Sequence, residues 1–350
     1  MVENDPNFHV PFGWTEAVAD EYAPLIADGR VPARVIRMDR SECDVATPTG
    51  IARARCPRSD SEISGLCTGD WVTVDAELNV RQLLPRRSAI MRSSVSGRSE
   101  GQVLAANVDT VLICSAADGD VDLNRIERML TLAWESNAQP IVVLTKADAA
   151  EDIPVDEVQA AAPGAVVLAI SANTGAGVDV LAAMLDGTVA LIGPSGAGKS
   201  TLANALLGAE VFATNDVRSV DKKGRHTTVH RELRPLPGGG TLIDTPGLRG
   251  IGLYDAAEGI EKTFSDIESF AASCRFLDCS HQTEPGCAVR EALETGALTQ
   301  RRFDSYRKLV RENAWMESRT DKRLQAERAR EWKSIVKQQR RIYRERGSRR

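Results

Sequence analysis

Residues 188–207 read TVALIGPSGAGKSTLANALL. Inside this stretch, Gly193-Pro194-Ser195-Gly196-Ala197-Gly198-Lys199-Ser200 is a complete G-x-x-x-x-G-K-[ST] motif. Its flanks are those the motif needs. Residues 189–192 are a short apolar run of strand type, and Leu202, Ala205 and Leu206 recur at helical spacing from Ser200 onward. Glycines let successive N–H groups curl toward phosphate oxygens, and the helix start adds partial positive charge. The expected phosphate-binding set is Gly193 to Thr201, with Lys199 reaching the β- and γ-phosphates and the Ser200 hydroxyl ligating Mg²⁺.

Moving outward, apolar strands at 110–114, 141–144 and 165–170 alternate with helical stripes at Leu123, Ile126, Leu130 and Ala133, and at Val178, Leu181 and Leu185. The alternation predicts an α/β fold with a parallel sheet, in which ligands bind at the carboxyl ends of strands. Those ends carry Thr145-Lys146-Ala147-Asp148 and Ser171-Ala172-Asn173. On the other side of the quoted stretch, Leu242-Ile243 ends a strand and Asp244-Thr245-Pro246-Gly247 follows. A D-x-x-G there can hold Mg²⁺ through water with Asp244 and sense a γ-phosphate with the Gly247 N–H. A polar segment, DKKGRHTT at 221–228, supplies His226, Thr227 and Thr228 between the two.

The first 29 residues hold six acids and no Lys or Arg, and one amphipathic helix over 15–27 with Thr15 as its cap. Residues 30–88 read as β, with strands at 31–38, 45–54 and 71–74, and suit a small OB-type barrel. Arg34, Arg37, Arg53, Arg55 and Arg58 are its candidates for an RNA-binding face, against the alternative of a structural barrel with a solvated basic surface. Residues 93–100 form a Ser/Gly-rich linker. The organisation expected is therefore an extension (1–29), a barrel (30–88), a nucleotide domain (89–252), a Cys/His domain (253–300) and a basic tail (301–350). Net charge is −5 overall. The tail alone holds 18 basic and 7 acidic residues and reads as a long helix suited to RNA phosphates. There is no apolar run of membrane-spanning length and no secretory leader, and seven cysteines is an odd number. A cytoplasmic protein with reduced thiols is expected, with no membrane partner and a monomer as the default.

Cys274, Cys279, His281 and Cys287 form C-x4-C-x-H-x5-C. Three thiolates and an imidazole fit one closed tetrahedral Zn²⁺ site, structural because no coordination position stays open.

The boxes occur in an unusual order. The base-reading pair precedes the phosphate-reading trio, a small barrel precedes both, and a Cys/His cluster follows. That order, with GQVLAANVDTVLI and GRHTT, resembles the circularly permuted ribosome small subunit-dependent GTPase A family, over roughly residues 30–300. The resemblance implies that Asp148 hydrogen-bonds guanine N1 and N2, that Lys146 packs over the base, and that the Ser171-Ala172 loop meets O6. It implies Mg²⁺ at Ser200, Thr228 and Asp244, GTP and GDP as ligands, and the small subunit and its rRNA as partner in late assembly. Two departures stand out. Thr145 occupies the usual Asn position of N-K-x-D, and a hydroxyl cannot make both amide contacts. Leu248 follows Gly247 where Ras-like enzymes carry a water-positioning Gln, so His226 is expected to orient the attacking water. The alternative is a nucleotide-gated RNA placeholder with negligible hydrolysis. A P-loop kinase has no need of the guanine pair.

Overall fold

The computed structural model describes residues 10–26, 29–39, 41–57, 63, 65–92, 102–212, 231–244, 253 and 255–320. Helix α1 (Glu16–Tyr22) starts where a cap permits. Thr15 is extended at φ −95°, ψ 167°, and its hydroxyl accepts the Val18 N–H at 3.3 Å. The helix ends earlier than expected because Pro24, which has no N–H to donate, sits in the next turn.

Strands β1 (Val31–Met38), β2 (Glu42–Thr47), β3 (Gly50–Arg55), β4 (Trp71–Val74) and β5 (Val80–Leu83) follow. All pairings along β3-β2-β1-β4-β5 are antiparallel, and a parallel bridge from Arg55 to Asn79 returns β3 toward β5. The result is the five-stranded, partly open barrel of the OB type. The single strand expected at 45–54 is two strands. Thr47 donates to the Gly50 carbonyl at 2.8 Å and accepts the Thr49 N–H at 3.3 Å, folding Thr47-Pro48-Thr49-Gly50 into a turn.

The basic barrel face is also revised. Arg34 is buried, and Arg37 pairs with Asp39 at 3.8 Å. Arg53 is ringed by Asp44 at 2.8 Å, Glu42 at 3.0 Å and Asp39. Arg55 is exposed, and Arg58 lies outside the described residues. Alternation along β1 points Ala33 and Val35 into the barrel core and Arg34 to the opposite face, which Phe12, Asn107 and Thr188 cover, so Arg34 does structural work.

Beyond the barrel, β6 (Ala89–Arg92) and β7 (Gln102–Ala106) form a hairpin on either side of the Ser/Gly-rich segment, itself outside the described residues. Then come β8 (Thr110–Ala116), α2 (Leu123–Glu135), β9 (Gln139–Thr145), α3 (Val155–Ala161), β10 (Val166–Ile170), α4 (Val178–Met184), β11 (Thr188–Ile192), α5 (Lys199–Leu207), β12 (Glu232–Pro235) and β13 (Thr241–Asp244). The sheet order is β10-β9-β8-β11-β13-β12, parallel except for β12. Burial on both faces is visible in β8. Val111 and Ile113 join the core under α2, while Leu112 and Cys114 join the core under α5. Strand order reverses between β8 and β11, which opens the crevice where such sheets bind ligands.

Arg34 ties three parts of the chain. Its guanidinium donates to Phe12 O (2.6 Å), Gly69 O (3.3 Å), Asn107 O (3.4 Å) and Thr188 Oγ1 (2.7 Å), and lies over the Trp71 ring. Burial pulls its pKa down to about 10. Thr188 is the first residue of β11, so this arginine links barrel, N-terminal segment and the P-loop strand.

Helices α6 (Ala257–Thr263), α7 (Ser265–Ala271), α8 (Ala288–Thr295) and α9 (Gln300–Thr320) complete the described chain. Part of the basic charge of α9 is consumed internally. Arg301 and Arg302 share the buried Glu127 of α2, at 2.9 Å each, and Arg302 also grips Asp266. About three turns further along α9, Glu312 accepts from Arg128 at 2.6 Å and from the Leu253 N–H at 3.3 Å. Asn313 accepts the Ala256 N–H at 2.7 Å.

Two tests follow from these contacts. Arg34→Lys should lower unfolding stability in urea by about 2–4 kcal/mol, because one ammonium cannot fork to four acceptors. Burial pushes the Glu312 carboxyl up, but the Arg128 hydrogen bond and charge outweigh it and hold it below its ordinary 4.5. A depressed carboxylate stabilises above the unfolded value and loses that contribution as pH falls through the folded one. Glu312→Gln should therefore cost roughly 1 kcal/mol at neutral pH. The two melting curves should converge in acid, where the native side chain is also neutral.

Candidate functional site

The crevice between β8 and β11 gathers both halves of the nucleotide motif. Gly193 leaves β11 at φ 150°, and a Cβ there would lie 2.4 Å from the Cys114 carbonyl of β8. Only glycine lets the loop turn this close to its neighbour strand. Gly198 caps α5 in the left-handed region, at φ 71°, and α5 begins at Lys199 as the motif requires. Pro194, Lys199, Ser200 and Thr201 are half-buried, Ser195 and Gly196 exposed, and Ala197 buried. The Lys199 ammonium donates to the carbonyls of Gly193 (2.9 Å) and Pro194 (2.7 Å), which holds it across the loop mouth.

The residues expected to read the base come from the ends of adjacent parallel strands. Register pairs Ile170 of β10 with Thr145 of β9, so the two following loops stand side by side. Lys146 adopts φ 58°, a left-handed conformation uncommon for a side chain of its size, and its ammonium meets Asp118 at 2.8 Å. Ala147 and Asp148 lie in the short turn that follows. The Ser171 hydroxyl, assisted by the Asn173 amide, holds the Asp148 carboxyl below the ordinary carboxylate range. Asp148 is thus an exposed, ionised acceptor next to the half-buried Ala172. An ionised carboxylate facing outward suits a ligand edge that presents N–H donors.

Thr145 joins the two halves. Its hydroxyl is buried, 2.9 Å from the Ala197 carbonyl of the P-loop and 3.3 Å from the Ser115 carbonyl of β8. Sequence reading identified Thr145 as a departure but not this bond. It also missed Asp118 and the Asn173 contact, whose partners lie up to 28 residues away.

Asp244 ends β13 in register with Leu191 of β11, which puts its backbone on the same edge of the sheet as the P-loop. His226, Thr227, Thr228, Gly247 and Leu248 lie outside the described residues.

The curated relatives settle the family. The small ribosomal subunit biogenesis GTPase RsgA of Streptomyces avermitilis is 55% identical over 337 residues, covering 93% of this chain and 90% of that one. The chain belongs to the RsgA GTPase family. The family model described as RsgA GTPase matches residues 83–254. The relative of the same name from Methanosarcina acetivorans is 37% identical over 96% of this chain. Among solved structures, YjeQ from Thermotoga maritima superposes with a TM-score of 0.59 at 24% identity, over 81% of this chain and 98% of that one. A structure titled YloQ, a circularly permuted GTPase, gives 0.58 over 84% of this chain and 98% of that one. The expected permuted GTPase fold is the fold found, and membership of the RsgA GTPase family makes the chain a GTP-hydrolysing enzyme.

The Cys/His cluster forms a second centre between α7 and α8. The ligand atoms of Cys274, Cys279, His281 and Cys287 all lie within 4.8 Å of one another, close enough to hold one metal ion. Cys274 follows the end of α7 and Cys287 caps α8, so two packed helices fix the outer ligands. Gly286, at φ 74°, turns back so that its carbonyl receives the Arg275 N–H at 3.0 Å. Glu284, unnoticed in the sequence, organises the inner loop. Its carboxylate accepts the N–H groups of Ser280 (3.0 Å), Gln282 (2.8 Å) and Thr283 (2.9 Å), and the Ser280 hydroxyl. These bonds, led by the Ser280 hydroxyl, hold it down to about 2. The signal available was its place between His281 and Cys287.

Glu284→Ala should weaken metal affinity about tenfold, as loss of an organising outer partner does. A chelator competition with Zn²⁺ or Co²⁺ measures it, while the far-UV spectrum of the loaded protein stays unchanged.

Proposed function

We propose that this chain binds and hydrolyses GTP during late maturation of the small (30S) ribosomal subunit, gripping its rRNA and leaving when GTP is spent. The observation that carries the reading is the meeting of the base-reading loops with the P-loop at the switch point, joined through Thr145. Relatives with more than half their residues in common bear the name small ribosomal subunit biogenesis GTPase RsgA.

In this reading the loop N–H groups from Gly193 to Ser200 cradle the phosphates, and Lys199 exchanges its two carbonyl partners for β- and γ-oxygens. Asp148 accepts from guanine N1 and N2, a choice adenine cannot satisfy because its edge lacks those donors. Lys146, steadied by Asp118, covers the base, and Ala172 offers its backbone N–H to O6. Ser200, Asp244 and Thr228 are the residues that would hold Mg²⁺, which would supply charge neutralisation for phosphoryl transfer. His226 orients the attacking water in place of the Gln that Leu248 displaces, and Gly247 reports the γ-phosphate.

The Cys/His centre is a structural zinc site. A tetrahedral zinc with bonds of about 2.3 Å to sulfur and 2.0–2.1 Å to nitrogen has edges of about 3.8 Å and 3.6 Å. Cys274 Sγ stands 3.9 Å from Cys287 Sγ and 3.6 Å from His281 Nδ1, which is 3.4 Å from Cys287 Sγ. Cys274, Cys279, His281 and Cys287 would together leave such an ion no open position, so its contribution would be to staple α7 to α8 and not to hydrolysis. No helix of the described residues is long and apolar enough to cross a membrane. Cysteines that form no disulfide and a ribosomal partner both support a cytoplasmic location. The alternative, a placeholder that does not hydrolyse, has no observation in its favour.

The test is steady-state GTP hydrolysis by the protein alone, then with small subunits, large subunits and free rRNA. Small subunits alone should stimulate turnover strongly. His226→Ala should lower stimulated turnover at least tenfold while leaving GTP affinity unchanged, the pattern of a group that acts on the transition state. Undiminished turnover by that variant removes His226 from the mechanism, and equal rates with every additive remove the small subunit.

A further inference from the structure

The Thr145 hydroxyl is fully committed. It stands 2.9 Å from one carbonyl oxygen and 3.3 Å from another, in a residue only 3% exposed. A hydroxyl has one proton, and both neighbours are acceptors. The proton belongs to Ala197 O, and what faces the ligand is a methyl group and oxygen lone pairs. The other side-chain donors of the base loops are drawn away from that position, toward carboxylates. Lys146 donates to Asp118 at 2.8 Å, and Ser171 and Asn173 serve Asp148.

The orientation of a bound purine follows from the two fixed ends of the site. Phosphates lie on the P-loop, and Asp148 takes the N1 and N2 edge. In an anti nucleotide the imidazole edge, with N7, overhangs the 5′-phosphates. The residue between P-loop and base loops on that side is Thr145, whose side chain touches the Gly198 position closely enough that a Cβ there would sit 3.1 Å from its oxygen. N7 is an acceptor, and it meets a side chain with no proton left to give.

We propose that Thr145 makes this nucleotide site indifferent to purine N7, so that guanine is chosen by its N1 and N2 edge and 7-deazaguanine nucleotides bind as well as GTP. The inference rests on reading the crevice as a GTP site. It identifies Thr145 as a specificity-determining residue that spends its one proton on holding the P-loop. An Asn at this position has two amide protons, one for Ala197 O and one for N7.

The experiment is displacement of a ribose-labelled GDP from the full-length protein by GTP, 7-deaza-GTP and inosine triphosphate. GTP and 7-deaza-GTP should have equal dissociation constants within about twofold, since no hydrogen bond to N7 is lost. Inosine triphosphate, without the N2 donor, should bind at least roughly tenfold more weakly, because a charge-assisted bond to Asp148 is gone. Thr145→Asn should create a preference for GTP over 7-deaza-GTP of roughly threefold to tenfold. Thr145→Val should weaken both nucleotides together and leave their ratio at one. A wild-type preference for GTP beyond about twofold overturns the inference, as does an Asn variant that still treats the two alike. Failure of every guanine nucleotide to displace the label would instead overturn the GTP reading, and this inference with it.

Discussion

A single hydrogen bond, from the Thr145 hydroxyl to the Ala197 carbonyl, ties the end of β9 to the P-loop, two chain segments 52 residues apart. In a permuted chain the loops that read the base are made before the loop that holds phosphate. Nothing in the covalent order brings them together. Parallel pairing of β11 against β8 supplies the approach, and the bare backbone of Gly193 makes it close enough. The Thr145 bond then fixes the distance between the end of β9 and the P-loop. Its burial raises the stakes, because a carbonyl left without a partner in that position costs more than the bond itself contributes.

The same economy governs the periphery. Arg34 holds the start of β11 from below with no carboxylate of its own, using three carbonyls and a hydroxyl. From the opposite flank, α9 uses Arg301, Arg302, Glu312 and Asn313 to bind α2 and the segment around Leu253 and Ala256. That segment is the direct continuation of the D-x-x-G stretch. The helix that closes the described chain is therefore attached to the segment that follows β13, and the Cys/His centre between α7 and α8 lies on the path between them. Rigid attachment through charged, partly buried pairs is sensitive to loss of either partner.

Charge counting is where composition misled most. Five barrel arginines suggested an RNA face, yet one is buried, one is ringed by three carboxylates and another leans on Asp39. Two arginines at the start of the basic tail are likewise spent on Glu127. A charge in a sequence carries no address. Its partners come from strand register and helix packing, and they decide whether the charge is available to a polyanion.

The sequence by itself determined the chemistry of this protein. The G-x-x-x-x-G-K-S motif, its flanking strand and helix, the TKAD and SAN segments at strand ends and the C-x4-C-x-H-x5-C spacing each act through local backbone geometry, which short-range residue order dictates. The order of those boxes was enough to expect a permuted GTPase. Only the tertiary structure decided what Thr145, Asp118, Glu284 and Arg34 do, and that residues 45–54 fold into a hairpin. Their partners lie across strands and loops, up to 154 residues away, and hydrogen bonding at that range depends on register, burial and the geometry of a single proton.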